Sequence, residues 1–267
     1  MSDFYAQVFS GLQTVANEGG YSVSIYSSGN SAEQEKMNVR SICDRLCDGI
    51  VVASGFLAPE SIDVLRDTKL PIISVEQILG ENDIPYIGIT DCDAVYGAVE
   101  YLIDIGHKRI ACFTAPMQYS VLKERYRGYV SALENNGIGY DPSLVFSDPV
   151  FEHAGDIMQY RAVKDILSDR TFTAAVTSSD DTASVILRAA HDLGISVPNE
   201  LSVIGFDDIS IAQFLVPSLT TIRQDAVALG KGAAEMILER IRNGHTENRT
   251  VGAELIVRES VTVPHEN

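Results

Sequence analysis

Tryptophan is absent from this 267-residue chain, and Tyr (11) and Phe (9) are its whole aromatic content, so any surface that stacks on a ring-shaped ligand must use one of those two. Basic charge is also scarce: 20 Lys and Arg stand against 37 Asp and Glu, a formal net charge of −17. Phosphate affinity comes mainly from neutralisation by Lys and Arg. With no basic run anywhere, nucleic-acid binding by these residues is not expected, and the acidity reads as a soluble, self-repelling surface. No apolar run is long enough to span a bilayer, and no apolar segment of the secretory type opens the chain.

The cysteines, Cys43, Cys47, Cys92 and Cys112, have no metal-site spacing. Cys43 and Cys47 lie four apart on an expected helix with no histidine nearby, which fits a packed, reduced pair better than a ligand pair. A cytoplasmic protein with free thiols is expected. The motifs of common chemistry are missing too: no GxGxxG after a strand, no phosphate-binding glycine–lysine loop, no HExxH and no GxSxG. The histidines (His107, His153, His191, His245 and His265) are scattered, and His107, just after Gly106 at a helix end, suits a packed or capping role. Asn248-Arg249-Thr250 matches a glycosylation acceptor but has no secretion route to give it meaning. No nucleophile, base constellation, metal set or cofactor loop is visible, so the chain is expected to be no enzyme and to need no cofactor.

What is present is an alternation of strand and helix patterns, which predicts parallel sheets with helices on both faces. Helices are expected over 4–18, 31–46, 60–66, 94–106, 121–136, 155–168, 181–194 and 226–243. Strands are expected over 21–27, 49–53, 71–75, 86–90, 110–114, 144–146, 174–177, 201–206 and 255–258, with a further β-rich stretch at TTIRQD (220–225). The rhythm restarts near residue 91, giving two Rossmann-like lobes. The N-terminal lobe takes 1–90 and is completed by about 225–250; the C-terminal lobe takes 91–224 and is completed by about 251–264.

In open α/β sheets, ligands bind just past the carboxyl ends of the strands. Asp207 and Asp208 follow the strand 201–206 there, although an Asp in that place also serves turns and helix caps. Ser178, Ser179, Asp180 and Asp181 follow the strand 174–177, where helix capping is the plainer role. Arg125 and Arg127 open a helix; an arginine offers a planar fork of donors for carboxylates or hydroxyls, or a surface ion pair. Phe4 and Tyr5 can stack on a ligand or anchor the first helix.

Seven landmarks in order give a resemblance over almost the whole chain to the LacI/GalR family of ligand-responsive bacterial transcription regulators. They are FYAQVFSGLQTVANEGGY (4–21), CDGIVVAS (47–54), LPIISVE (70–76), YGAVEYLIDIGHKRIACFTAP (96–116), ERYRGYVSAL (124–133), SSDDTASVILRAAHDLGISVPNELSVIGFDDI (178–209) and PSLTTIRQD (217–225). The resemblance implies the type I periplasmic-binding-protein fold: two α/β lobes joined by three crossovers, with a sugar or related small polar effector in the inter-lobe cleft. It implies a homodimer whose DNA affinity the effector switches, and no membrane partner. It further implies that Asp207 accepts from effector hydroxyls or ring nitrogens, that Arg125 donates to the effector, and that Phe4 and Tyr5 pack against it.

Ser179 stands where the family often has Asn, with Asp180 retained beside it, and the resemblance implies that both contact the effector. Glu76 stands where Asp is more usual, and Gln224 matches a glutamine on the hinge side of the pocket. The family's N-terminal helix-turn-helix, through which operator DNA would be bound, and its first core strand have no match here. A gap in the first sheet, with unpaired backbone beside the expected strands 21–27 and 49–53, is therefore expected. A sugar-binding receptor of a transport system shares the fold and is the alternative.

Overall fold

The computed structural model describes residues 2–29, 31–44, 47–53, 57–79, 84–152 and 156–264. His153, His265, Ser54 and the expected helix limits at Leu46 and Gly155 lie outside them. The chain divides into two compact units: residues 1–89 with 225–252, and 90–224 with 253–267. Three chain crossings, at 89–90, 224–225 and 252–253, connect them.

The first unit holds α1 (Asp3–Glu18), α2 (Ala32–Cys43), β1 (Ile50–Val52), α3 (Pro59–Asp67), β2 (Ile72–Val75) and β3 (Tyr86–Gly88). Its strands form a parallel sheet of order β1-β2-β3, extended by a short later strand at Arg249–Thr250 that pairs with β3. Ser2 caps α1 by accepting from the Tyr5 amide, and Ser31 caps α2 by accepting from the Gln34 amide, each satisfying a helix-end donor. One core joins Phe4, Val8 and Leu12 of α1 to Ile73, Val75 and Ile87 of the sheet and to Leu229, Ala233 and Ile237 of the returning helix Ala226–Asn243. A second core packs Val39 and Leu65 against Ile50, Val52 and Ile72.

That returning helix crosses α1 at two glycines. A Cβ on Gly11 would lie 2.2 Å from the Val227 carbonyl oxygen, and one on Gly230 would lie 1.9 Å from that of Val8. Only residues without side chains allow backbones so close.

The strand expected over 21–27 is not formed. Tyr21 and Val23 rest against the first core, as the alternating pattern requires, but the segment has no ladder and Ile25 is half exposed. An extended segment becomes a strand only where a neighbour completes its backbone hydrogen bonds. Among the described residues none does so, and β1 stands at the sheet's edge paired to β2 alone.

The second unit runs α4 (Asp91–Asp104), β4 (Ile110–Thr114), α5 (Ser120–Asn135), β5 (Val145–Ser147), α6 (Ile157–Ser168), β6 (Ala174–Thr177), α7 (Asp180–Leu193), β7 (Ser202–Asp207) and β8 (Thr220–Gln224). After α8 (Ala226–Asn243) and β9 (Arg249–Thr250) of the first unit, the chain returns to it as β10 (Ala253–Ile256). The six-stranded sheet has the order β10-β8-β7-β6-β4-β5, parallel except for antiparallel β10. Phe113, Val163, Leu167, Ala175, Ile186 and Val203 form its core.

His107 ties the last segment into this sheet. It is buried, and its ring nitrogens contact the Thr173 hydroxyl at 2.8 Å, the Ser202 hydroxyl at 3.1 Å and the Thr262 carbonyl oxygen at 2.9 Å. Burial pulls the imidazole below its ordinary pKa, partly offset by the bond to Thr262. Among the described residues, no helix is long and apolar enough to cross a membrane.

Candidate functional site

In the second unit the candidate residues gather at the C-terminal ends of β6, β7 and β8. Asp207 ends β7 with φ +111°, and Asp208 follows with φ +54°. Three non-glycine residues in the described chain carry positive φ: these two and Glu76. Such backbone costs of order 1–3 kcal/mol per residue and persists where its surroundings fix it, most often at binding and active sites. All three strained residues belong to, or adjoin, the candidate set.

Asp207 is half-buried, and its Oδ1 accepts from Gln224 Nε2 at 2.6 Å. Gln224 is itself buried at the end of β8, so it orients the Asp207 carboxylate from behind. Asp208 is turned into the protein: Arg223 Nε donates to Oδ2 at 2.7 Å and Arg258 Nη2 to Oδ1 at 2.6 Å. With both oxygens held by arginines, Asp208 serves the turn.

Arg125, in α5, is no surface ion pair. It is 9% exposed, its Nε donates to Asp91 Oδ1 at 2.7 Å, and its Nη1 donates to the Ser178 carbonyl oxygen at 2.9 Å. Its guanidinium lies 3.5 Å from the centroid of the Phe206 ring, a cation–π contact directly beneath Asp207 in the chain. A buried arginine needs such a partner, because removing one member of a buried pair strands the other charge. Arg127 is the exposed one, paired with Glu124. A cavity of about 20 Å³, room for about one water, lies between α4, α5 and the sheet, lined by Arg125, Cys112, Thr114, Thr177, Ser178 and Gly205 among others.

Ser179 caps α7, accepting from the Thr182 amide at 3.3 Å, and its hydroxyl lies 3.2 Å from that of Thr182. Asp180 departs from the expected ligand contact. It is wholly buried beneath Gly205, and both carboxylate oxygens are taken by internal donors, the Ile209 amide at 2.9 Å and the Thr221 hydroxyl at 2.5 Å. Desolvation, with Asp208 and Asp181 adding like charge, pushes its pKa up to about 7 against those two hydrogen bonds.

In the first unit, Phe4 is a core residue, 5% exposed, which argues against ligand packing by that ring. Tyr5 meets it edge-on at 5.2 Å between centroids and stays half-buried. The Tyr5 hydroxyl donates to Glu76 Oε2 at 3.0 Å, and Glu76 follows β2 with φ +66°. Tyr5 and Glu76 therefore form one polar pair at a strand end.

Asp91, Thr221, Arg223 and Arg258 escaped the sequence reasoning. The β7–β8 register, which sets Asp207 opposite Arg223, points to one of them. Asp91 and Arg258 lie 34 and 50 residues from their partners and leave no local signal.

A family model of the periplasmic binding protein-like domain matches residues 99–261. The HTH-type transcriptional repressor CytR of Escherichia coli (strain K12) is 31% identical over 261 residues, which cover 96% of this chain and 75% of the repressor. Among solved structures, that of transcription regulator CcpA of Lactococcus lactis matches with a TM-score of 0.90 at 27% identity, covering 98% of this chain and 95% of that one. A complex of the transcriptional regulator CelR with cellobiose matches with a TM-score of 0.87 at 25% identity, covering 97% and 79%.

Proposed function

Because the chain belongs to the LacI/GalR family of transcriptional regulators, proteins that regulate rather than catalyse, we propose that it is the effector-sensing core of such a regulator. The effector is a sugar or a similar small polar molecule, and Asp207 is its principal acceptor. The observation that carries this is the strained, half-buried Asp207 at the end of β7, its carboxylate oriented by Gln224. A carboxylate offers about four acceptor sites on its two oxygens, so one placed here can accept from effector hydroxyl or ring N–H donors beside Gln224. The cellobiose complex of CelR supports a saccharide as the first class to try.

Arg125 holds the Ser178 carbonyl and the Phe206 ring in place, and its guanidinium donates to the effector from there. Ser179, Tyr5 and Glu76 supply further polar contacts, Glu76 in its Tyr5-bonded conformation. The protein works in the cytoplasm as a homodimer. Ile211, Phe214 and Val216, 51%, 71% and 94% exposed on one loop of the second unit, give the second copy an apolar surface to cover. An effector that binds one conformation better shifts the dimer toward it and so changes DNA affinity. The DNA contacts come from residues other than this acidic core, whose charge of −17 opposes phosphate.

A thermal-shift screen of sugars, sugar phosphates and nucleobases tests this. A compound that raises the melting temperature in a saturable way is expected among them. A chain that no member shifts, while it binds a palindromic DNA site tightly by itself, overturns the proposal.

A further inference from the structure

Asp180 is too deeply placed to touch a ligand, yet it holds the loop that carries Asp207. Its carboxylate fills the space that a side chain at position 205 would occupy: a Cβ on Gly205 would lie 2.0 Å from Oδ1. From that seat Oδ2 accepts from the Ile209 amide, two residues past Asp207, and Oδ1 accepts from Thr221 of β8. Thr221 in turn accepts from the Asp208 amide at 3.4 Å. The strained pair Asp207–Asp208 is therefore bracketed from below by Asp180 and Thr221, and from the side by Arg223 and Arg258.

We propose that Asp180 is a positioning residue for the Asp207 turn, and that gain or loss of its proton changes how firmly the turn is held. The reason is the count of donors and acceptors. A carboxylate accepts from both Ile209 and Thr221 with charge assistance, which makes bonds roughly twice as strong as neutral ones. A protonated carboxyl must donate from one oxygen. Thr221 can receive that proton, because a hydroxyl rotates and both donates and accepts. The Ile209 amide cannot reverse, so its bond weakens to a neutral one.

The charged groups that bear on Asp180 are Asp208 from the loop and Asp181 from its own helix, both disfavouring the anion. Arg223 and Arg258 act through Asp208, which they neutralise. Added to desolvation and set against the hydrogen bonds from Thr221 and Ile209, the like charges leave Asp180 titrating near neutral pH, at about 7. The consequence for ligand affinity rests on Asp207 as the effector acceptor, but the geometry of the turn does not.

The test therefore uses the ligand-free protein. Amide chemical shifts are followed by NMR from pH 5.5 to 8.5 in the wild type, Asp180→Asn, Thr221→Val and Asp208→Asn, with hydrogen exchange measured on the same samples. The Ile209 amide of the wild type is expected to titrate with a midpoint near 7, and that of Asp180→Asn to stay flat. Thr221→Val removes a donor to the anion and should raise the midpoint; Asp208→Asn removes a like charge and should lower it. Exchange at Asp208 and Ile209, after correction for intrinsic rates, should change about tenfold across that midpoint in the wild type and not in Asp180→Asn. An Ile209 amide that does not titrate in the wild type, or titrates unchanged in Asp180→Asn, overturns the proposal. Neither outcome depends on whether the effector screen succeeds.

Discussion

The Gln224 side-chain amide donates to Asp207 Oδ1 at 2.6 Å, joining the last residue of β8 to the last residue of β7. The bond fixes the orientation of the carboxylate. Gln224→Ala should free the carboxylate to rotate and weaken effector binding about tenfold, or about 1.4 kcal/mol. Gln224→Glu should weaken it further, because a second carboxylate would face the first. Calorimetric titration with the compound found in the thermal-shift screen reads both, and equal affinity in Gln224→Glu and wild type would count against the arrangement.

Gly205→Ala drives a methyl carbon into Asp180 Oδ1. Either the carboxylate leaves its seat, stranding the Ile209 amide, or β7 shifts. A destabilisation of about 3 kcal/mol or more is expected, since overpacking of about 1–3 kcal/mol adds to the cost of an unsatisfied donor. The midpoint of urea unfolding checks this, and an unchanged midpoint would show that the strand gives way cheaply.

His107 and Asp180 act on stability with opposite signs over overlapping pH ranges. His107 is held below its ordinary value of 6.5 in the folded chain, so the unfolded chain takes up the proton first and stability falls as pH drops below 6.5. Asp180 is raised from 3.8 to about 7, so its contribution is present at low pH and is lost as pH rises through about 7. His107→Gln should lose the acid-side fall that belongs to His107 and cost about 1–3 kcal/mol from the broken contacts to Thr173, Ser202 and Thr262. Asp180→Asn should remove the loss that accrues as pH rises from about 4 to about 7. Denaturation curves of the wild type and both variants between about pH 4 and 8.5 separate the two.

Phe214→Glu places a charge within the exposed apolar loop of Ile211, Phe214 and Val216. If a second copy covers this loop, sedimentation should show a monomer while the unfolding midpoint of the monomer is kept, because Phe214 is 71% exposed and contributes little to the core. A dimer of unchanged strength in Phe214→Glu would move the interface elsewhere.

Most elements were legible because their periodicity is strong. The strands 110–114 and 174–177 and the helix 226–243 have the bounds that alternation and apolar spacing gave them. The segment 21–27 has the same alternation and yet no ladder, since pairing depends on a neighbour that a local pattern cannot supply. The site divides in the same way. Asp207 is readable as polar chemistry at a strand end, and Asp208 as a turn residue. Burial is what separates Asp180 and Phe4 from the surface, and it follows from Gly205 and the first core rather than from residue type. The partners of Arg125 and Asp208 come from distant elements, so only the folded chain brings Asp91 and Arg258 to them.

Effector binding by this chain turns on Asp207, and calorimetry on Asp207→Ala measures that dependence. Wild type and variant are titrated with the compound that gives the largest thermal shift, and circular dichroism is recorded for both. The wild type should bind one molecule per chain, and the variant should lose about a hundredfold or more in affinity, about 2.7 kcal/mol, with an unchanged spectrum. An Asp207→Ala chain that stays folded and binds with wild-type affinity would contradict the account.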